Sequence, residues 1–284
     1  MSSKTALYIL KRILLAIFII FIVITITFFV MHSIPGGPFL GEKAITPEVE
    51  AALKAKYGLD KPVFKQYLTY LNDVLHFDFG PSIKQRGHTV NDIISEGFAI
   101  SSKLGLIAAA IAIIFGVTLG SIAAFNHNRF VDKFIMVTST TLVAMPGFII
   151  ATLLLLIFCV KLQIFPANGL TVDGLVLPVI ALSLYPMAYI TRLTRSSTLD
   201  VLGQDYIRTA KAKGVSQNKI IFKHSLKNSL TPVITYAGPM IAYIVTGSLV
   251  IERIFGVAGL GNQFVKSITD RDYPMIMGTT IFLT

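Results

Sequence analysis

Long apolar blocks separated by polar segments dominate the pattern along the chain. Four blocks are each about long enough for a helix to cross ~30 Å of hydrocarbon: residues 13–31, 104–125, 134–160 and 232–251. A fifth block, residues 175–191, lies at the lower limit of ~17 residues, and a wider interpretation starts it at residue 170. The pattern therefore predicts five membrane-spanning helices, which place the chain in the all-α polytopic class.

The first and last apolar blocks differ from the blocks between them. The block at 13–31 has a basic flank, but no Ala-x-Ala site follows it before Pro35. Its apolar stretch is also longer than the usual apolar region of a signal peptide, so we interpret it as an uncleaved anchor. A sixth block runs from Pro274 to the last residue, Thr284. It is too short to span, and we expect the natural protein to continue beyond Thr284.

Charge is distributed unequally between alternate loops. Segments 1–12, 126–133 and 192–231 carry +3, +1 and +6, which together equal the formal net charge of +10. The other loops balance to zero. Excess Lys and Arg mark cytoplasmic loops. The sequence therefore predicts a cytoplasmic N-terminus and an external segment between the first two spans.

The predicted spans contain no Asp, Glu, Lys, Arg or His. Ionisable residues within a bilayer usually mark proton relays or ion sites. Their absence argues against a proton-driven carrier, an intramembrane hydrolase and a metal transporter, and less firmly against a sodium-coupled carrier. The pattern thus predicts no catalytic residues and no metal ligands. A non-transport membrane scaffold remains the alternative from a different class.

Proline and glycine interrupt the apolar blocks. Small residues allow helices to approach closely, and prolines bend them where neighbouring groups satisfy the freed carbonyls. The same residues also suit a bundle that lines a path and bends at moving elements. Both interpretations stay open for the pathway or hinge candidates Pro146, Gly147, Gly238, Pro239 and Gly247.

The segment 32–103 is predicted to form an external helical insert. Thr46-Pro47-Glu48 resembles a helix start, and Gly58 a helix end. A second helix follows Asp60-Lys61-Pro62, with apolar residues at helical spacing. The insert is either a cap on the outer surface of the bundle or a docking surface for an external partner.

The segment 192–231 is basic and is predicted to form a helical elbow. Residues 199–213 have a helical pattern, Gly214 interrupts it, and residues 217–230 form a second helical pattern. The basic residues can contact anionic lipid, or the turn can insert into a cytosolic partner. Nucleic acid is excluded as a partner because the helix pair is tethered to the membrane at both ends.

The residues of this elbow resemble a known family. The run 204–214 is similar to the coupling loop of ABC-importer permeases, whose general pattern is Glu-Ala-Ala, three residues and Gly. Ala210 and Gly214 match that pattern, whereas Arg208 and Thr209 replace its Glu and first Ala. This variant, followed by residues 224–228, is typical of the peptide and nickel branch.

Further motifs extend the resemblance over nearly the whole chain, and the nearest likeness is to oligopeptide permeases of the B type. They lie at residues 8–12, 34–39, 57–62, 78–82, 251–256, 259–261 and 271–273. Ala258 stands where relatives commonly have Pro. The resemblance implies a six-span type I ABC importer permease fold whose sixth span is incomplete at Thr284.

The resemblance also implies function and partners. It identifies a permease subunit that forms half of the path for oligopeptides in the bacterial cell membrane, with nickel or dipeptides as alternative cargo. The implied partners are a second homologous permease, two cytosolic ATP-binding subunits, an external substrate-binding protein and the lipid bilayer. No Gly-x-x-x-x-Gly-Lys-[Ser/Thr] run occurs, so ATP and Mg would be used by partner subunits and this chain would bind no cofactor.

These predictions divide the chain into three segments. Residues 1–31 form the anchor span, 32–103 the external insert, and 104–284 the core bundle, which includes the coupling loop 192–231. The candidate ATPase-coupling residues are Asp205, Tyr206, Arg208, Thr209, Ala210, Lys211 and Gly214.

Overall fold

Helices form the regular structure of the described part of the chain. The computed structural model describes residues 3–39, 47–216, 220 and 225–284. The helices are α1 (Ser3–Ser33), α2 (Pro47–Lys56), α3 (Val63–Leu75), α4 (Val90–Phe125), α5 (Phe130–Ala144), α6 (Gly147–Leu154), α7 (Val176–Leu202), α8 (Asp205–Ala212), α9 (Leu226–Ser229), α10 (Thr231–Val245), α11 (Leu249–Ile254), α12 (Leu260–Asp270) and α13 (Tyr273–Leu283). A π-helical turn at Leu155–Lys161 extends α6, and a 3-10 turn at Asp173–Leu175 precedes α7.

Four of the described helical segments are long and apolar enough to cross a membrane. They are Lys4–Ser33, Val90–Phe125, Asp173–Leu202 and Thr231–Ile254, and a fifth is counted if the bent pair Phe130–Ala144 and Gly147–Lys161 is one span. These correspond to the five predicted apolar blocks. The sixth span stays a prediction, because α13 has 11 residues.

The block at 134–160 is not one continuous helix, which corrects its interpretation as a single helical span. The helix axis bends by 103° between the two helices of this pair. Met145 has an extended backbone with φ −80° and ψ 129°, as a residue before proline favours. Pro146 then begins α6 as its N-cap. The sequence therefore breaks the helix at the proline selected as a hinge candidate.

The described chain separates into two compact units, 1–97 with 263–284, and 98–262. In the second unit, α7 packs against α5, α6, α9 and α10. Close contact with α4 depends on glycine: a Cβ at Gly116 would lie 2.7 Å from Ile190 Cγ2, and one at Gly120 would lie 2.6 Å from Thr194 Cβ. The buried face of α7 is therefore the centre of this unit.

In the first unit, α1 packs against α13 and α3. The predicted insert helices are confirmed as α2 and α3. Gly58 ends α2 with φ +66°, and Leu59 N–H donates to the Lys54 carbonyl at 2.8 Å. Thr46, the predicted cap of α2, lies outside the described residues.

The predicted single helix over residues 199–213 is wrong. Helix α7 continues without interruption from the apolar block to Leu202, and Gly203 N–H donates to the Leu199 carbonyl as the helix ends. A new helix, α8, begins at Asp205. Half of the predicted helix over 217–230, namely residues 217–219 and 221–224, lies outside the described residues. Among the described residues of this segment, Leu226–Ser229 form a short helix.

Candidate functional site

Helix α8 is a short amphipathic helix in the basic inner segment. Ile207 is fully buried, whereas Asp205, Tyr206, Arg208 and Thr209 are exposed. The Ile207 side chain therefore attaches α8 to the rest of the unit. The other four residues lie on the solvent side of α8, where a protein partner can reach them.

Local contacts hold this exposed side of α8 in place. Arg208 Nη1 lies 3.6 Å from Asp205 Oδ1, with both side chains largely exposed. The Thr209 hydroxyl donates to the Asp205 carbonyl at 3.0 Å. Asn228 Nδ2 donates to the Tyr206 hydroxyl at 2.8 Å, which joins α8 to α9. An exposed ion pair of this kind contributes only ~0–1 kcal/mol, so Arg208 remains available to a partner.

Gly214 lies in the turn that follows α8. Its φ is +74°, and a Cβ added there would meet no atom within 4 Å. Val215 N–H donates to the Ala210 carbonyl at 3.1 Å, which closes the turn. Positive φ favours glycine, so the backbone conformation explains the glycine and the open space leaves the turn exposed. Lys211 lies within α8.

The hinge candidates occupy three different environments. Gly147 begins α6 directly after Pro146, at the 103° bend. Gly238 and Pro239 lie inside α10, and a Cβ at Gly238 would meet no atom within 4 Å. Gly247, with φ +104°, lies in the turn between α10 and α11. The candidates therefore lie at a helix bend, inside a helix and in a tight turn. The hinge role stays a prediction for each of them.

A buried carboxyl group lies next to Gly247 and is not apparent from the sequence. Glu252 in α11 is fully buried. The Ser101 hydroxyl donates to its Oε1 at 2.7 Å and accepts a hydrogen bond from Leu260 N–H at 2.8 Å. Asn262 N–H donates to Glu252 Oε2 at 3.1 Å. These bonds hold the segment after α11 against α4.

Glycines make room for this network. A Cβ at Gly259 would lie 2.5 Å from Ser101 Oγ, and a Cβ at Gly247 would lie 3.0 Å from Glu252 Oε1. A buried carboxyl group needs hydrogen-bond donors, because burying it alone is costly. The backbone therefore approaches closely enough for its N–H groups to reach the carboxyl oxygens.

We expect Gly259→Ala to lower the free energy of unfolding by about 1–3 kcal/mol, because an added methyl in a filled site forces neighbouring atoms to shift. Gly203→Ala is the matched control, since its Cβ would come no nearer than 3.5 Å to another atom. Unfolding of both variants in mixed micelles measures the difference. Equal stability of the two variants would contradict the close packing around Glu252.

An ion pair between a buried carboxylate and a partly exposed arginine joins the start of α5 to α7. Arg195 donates from Nε to Asp132 Oδ1 at 2.6 Å and from Nη2 to Oδ2 at 2.7 Å. Asn128 N–H donates to Asp132 Oδ2 at 2.9 Å. Asp132 is 2% exposed. A bidentate pair fixes orientation as well as distance, so it attaches the α4–α5 connection firmly to the last turns of α7.

The fold and these sites define an α-helical multi-pass membrane protein. The chain belongs to the family of binding-protein-dependent transport system inner membrane components, whose model matches residues 116–284. The N-terminal model of the same transport systems matches residues 6–107. The protein is therefore a transport subunit of the ABC permease class and not an enzyme.

Curated relatives are similar over almost the whole chain. The dipeptide transport system permease protein DppB of Bacillus subtilis is 50% identical over 276 residues, which are 97% of this chain and 90% of that protein. The oligopeptide transport system permease protein OppB of Salmonella typhimurium is 45% identical over 279 residues, 97% of this chain and 91% of that protein. OppB of Escherichia coli is 44% identical over the same length.

The fold is also found among solved structures. The MetNI methionine ABC transporter in an inward-facing conformation matches with a TM-score of 0.53, covering 67% of this chain and 89% of the matched chain. The sequence identity is 14%, so this likeness concerns the fold alone. It confirms the predicted type I ABC importer permease fold.

Proposed function

We propose that this chain is a membrane-spanning permease subunit of an ATP-driven importer that takes up oligopeptides. The observation that carries this proposal is the 44–50% identity, over 97% of the chain, to permeases named for peptide transport. The five apolar blocks delimited in the sequence contain no Asp, Glu, Lys, Arg or His, which agrees with a cargo whose side chains vary in charge. Reconstitution with partner subunits and labelled peptide tests it directly.

The orientation follows from the charge distribution. The segments 1–12, 126–133 and 192–231 would face the cytoplasm, because they hold all the net positive charge. The insert 32–103 would then be external, and the proposed fold would cross the bacterial inner membrane six times. Impermeant labelling of cysteines introduced at Lys65 and Lys213 distinguishes this orientation from its inverse.

The coupling role rests on the geometry of α8 and Gly214. A buried anchor at Ile207, an exposed polar face and a glycine turn with open space around it suit a projection that seats in a partner's groove. In this proposal the groove belongs to a cytosolic ATP-binding subunit. Movement of that subunit would pass through α8 to α7, which is joined to α5 by the ion pair between Asp132 and Arg195.

The assembly would contain two permeases, two ATP-binding subunits and one external binding protein. Hydrolysis of ATP with Mg would occur on the ATP-binding subunits, because this chain has no phosphate-binding glycine loop. Two homologous permeases would each contribute half of the path. The proposal for the path includes the bend at Pro146 and Gly147, the helix interior at Gly238 and Pro239, and the turn at Gly247.

We expect the external binding protein to determine which peptides enter. Replacing that protein with one of different peptide preference should change the cargo profile, whereas single substitutions in the spans should change the uptake rate for all peptides alike. Competition between labelled peptides in proteoliposomes measures both. A span substitution that changes the order of peptide preference would contradict the proposal.

Dipeptides are the second candidate cargo, because the relative with 50% identity is named for dipeptide transport. The same competition assay distinguishes dipeptides from longer peptides as cargo. Uptake that two-residue peptides block and five-residue peptides leave unchanged would assign the chain to dipeptides.

A further inference from the structure

Helix α3 carries three different faces rather than two. At helical spacing, Tyr67, Tyr70 and Val74 point to one side, where Tyr67 is buried. Lys65, Thr69 and Asn72 form a polar side. Between them lies an exposed apolar stripe of Phe64, Leu68 and Leu75, whose side chains are 63%, 50% and 79% exposed. An exposed apolar stripe of this kind indicates contact with an apolar partner, either another protein surface or lipid.

The contacts of α3 with α1 give the position of α3 along the membrane span. The Tyr67 hydroxyl is hydrogen-bonded to the Thr25 hydroxyl at 2.7 Å. Gln66 Oε1 pairs with His32 Nε2 at 3.1 Å. The Tyr67 ring also packs against Phe29, with ring centroids 5.2 Å apart. Helix α3 therefore lies beside the last third of α1, between Thr25 and His32.

This part of α1 lies within the depth of a bilayer. Counted from residue 13, the first after the basic residues Lys11 and Arg12, ~30 Å of hydrocarbon requires about 20 helical residues and ends near Ser33. Thr25 is then about 12 Å below that end, at 1.5 Å per residue. A helix attached at Thr25 and His32 consequently lies at or below the outer headgroup layer, and not in bulk water.

The exposed surface of α1 continues onto this stripe. Phe29 and Val30 of α1 are 40% and 55% exposed, and the Phe29 ring contacts Tyr67, which in turn lies 6.4 Å from the Phe64 ring. A chain of ring contacts through the buried Tyr67 thus joins the exposed apolar residues of a membrane-spanning helix to the stripe on α3. Lys65 on the polar side can extend its ammonium group toward water or headgroups.

We propose that α3 is an interfacial helix whose stripe, Phe64, Leu68 and Leu75, lies among the lipids of the outer leaflet. An apolar face beside a polar face with Lys is the pattern of helices that lie in a membrane surface. The lipid contact would hold the insert at the membrane and fix the height of the rest of the insert above it. The inference uses the proposed orientation only to name the outer leaflet.

The absence of tryptophan from the sequence provides a direct test. Phe64→Trp places a single fluorophore on the stripe, and Thr69→Trp places one on the polar side of the same helix as the matched control. The full chain is reconstituted in liposomes that contain phosphatidylcholine brominated near the top of the acyl chain. We expect quenching of the Phe64→Trp emission to exceed that of Thr69→Trp at least threefold.

The outcomes separate the possible partners of the stripe. Equal quenching of the two variants, or a Phe64→Trp emission that bromolipid leaves unchanged, would overturn the proposal. So would loss of the lipid quenching when the second permease and the external binding protein are added, because the stripe would then be a protein interface. Leu68→Trp repeats the test if Phe64→Trp does not reconstitute.

The test is independent of transport. Bromolipid quenching needs neither ATP nor cargo, so its failure leaves the proposed import function standing. Iodide added outside the vesicles shows on which side of the membrane α3 lies. It should quench the Thr69→Trp emission when the chain is inserted with its N-terminus inside the vesicle. Quenching by enclosed iodide alone would overturn the proposed orientation and the assignment to the outer leaflet.

Discussion

Replacing Gly214 with leucine should abolish ATP-driven peptide uptake while the chain still inserts into the membrane. Gly214 has φ +74° in an open turn, and a left-handed backbone costs a side-chain-bearing residue about 1–2 kcal/mol. The larger consequence is expected at the partner, because leucine would project from the tip of the elbow into the groove that receives it. Uptake of labelled peptide into proteoliposomes, compared with the amount of chain in the membrane fraction, measures the effect.

Gly58→Leu is the matched control for backbone strain. Gly58, in the insert, has a similar φ of +66°, and a Cβ added there would come no nearer than 3.9 Å to the flexible end of Lys61. Strain alone would affect both variants equally. Normal uptake by Gly214→Leu would contradict the coupling role, and equal loss in the two variants would show that strain, not the elbow, causes the defect.

Replacing Arg195 with alanine should lower the free energy of unfolding by about 3–5 kcal/mol, because it leaves a buried carboxylate without its partner. Among the described residues, the Asp132 carboxylate would keep the Asn128 N–H as a donor and His127 Nδ1 at 3.4 Å. The start of α5 would also lose its bidentate attachment to α7. Unfolding by sodium dodecyl sulfate titration in mixed micelles gives the change in free energy.

A double-mutant cycle isolates the pair. Arg195→Ala combined with Asp132→Ala should cost less than the sum of the two single changes, since removing both partners leaves no unpaired charge. Arg208→Ala, which breaks an exposed pair, is the surface control and should cost at most about 1 kcal/mol. Additive single effects would show that Asp132 and Arg195 do not stabilise each other.

Local periodicity is sufficient to predict much of this fold. The apolar blocks correspond to the membrane-spanning segments, because a bilayer demands about 20 consecutive apolar residues and leaves a signal that needs no tertiary information. The same holds for α2 and α3, whose ends are marked by proline, by glycine and by apolar spacing. The turn at Gly214 is equally local, since its positive φ explains the glycine.

The features that the sequence does not reveal depend on distant contacts. Asp132 and Arg195 are 63 residues apart, and Ser101 and Glu252 are 151 residues apart. Contacts between residues so far apart leave no periodic signal in the sequence. A charged residue next to an apolar block also looks the same in the sequence whether it is solvated or paired inside the fold. The apolar pattern does not predict that α7 continues to Leu202, because the last turns of α7 carry polar residues. Packing of α7 against α9, which the local sequence does not reveal, accompanies this continuation.

Photo-cross-linking from the elbow tests the central claim most directly. A photoreactive amino acid at the exposed position Lys213, in the assembled importer, should capture a cytosolic ATP-binding subunit, and the yield should change when ATP is added. The same group at Lys65 in the insert should capture no ATP-binding subunit. Capture of the external binding protein from Lys213, or equal capture of the ATP-binding subunit from both positions, would contradict the account.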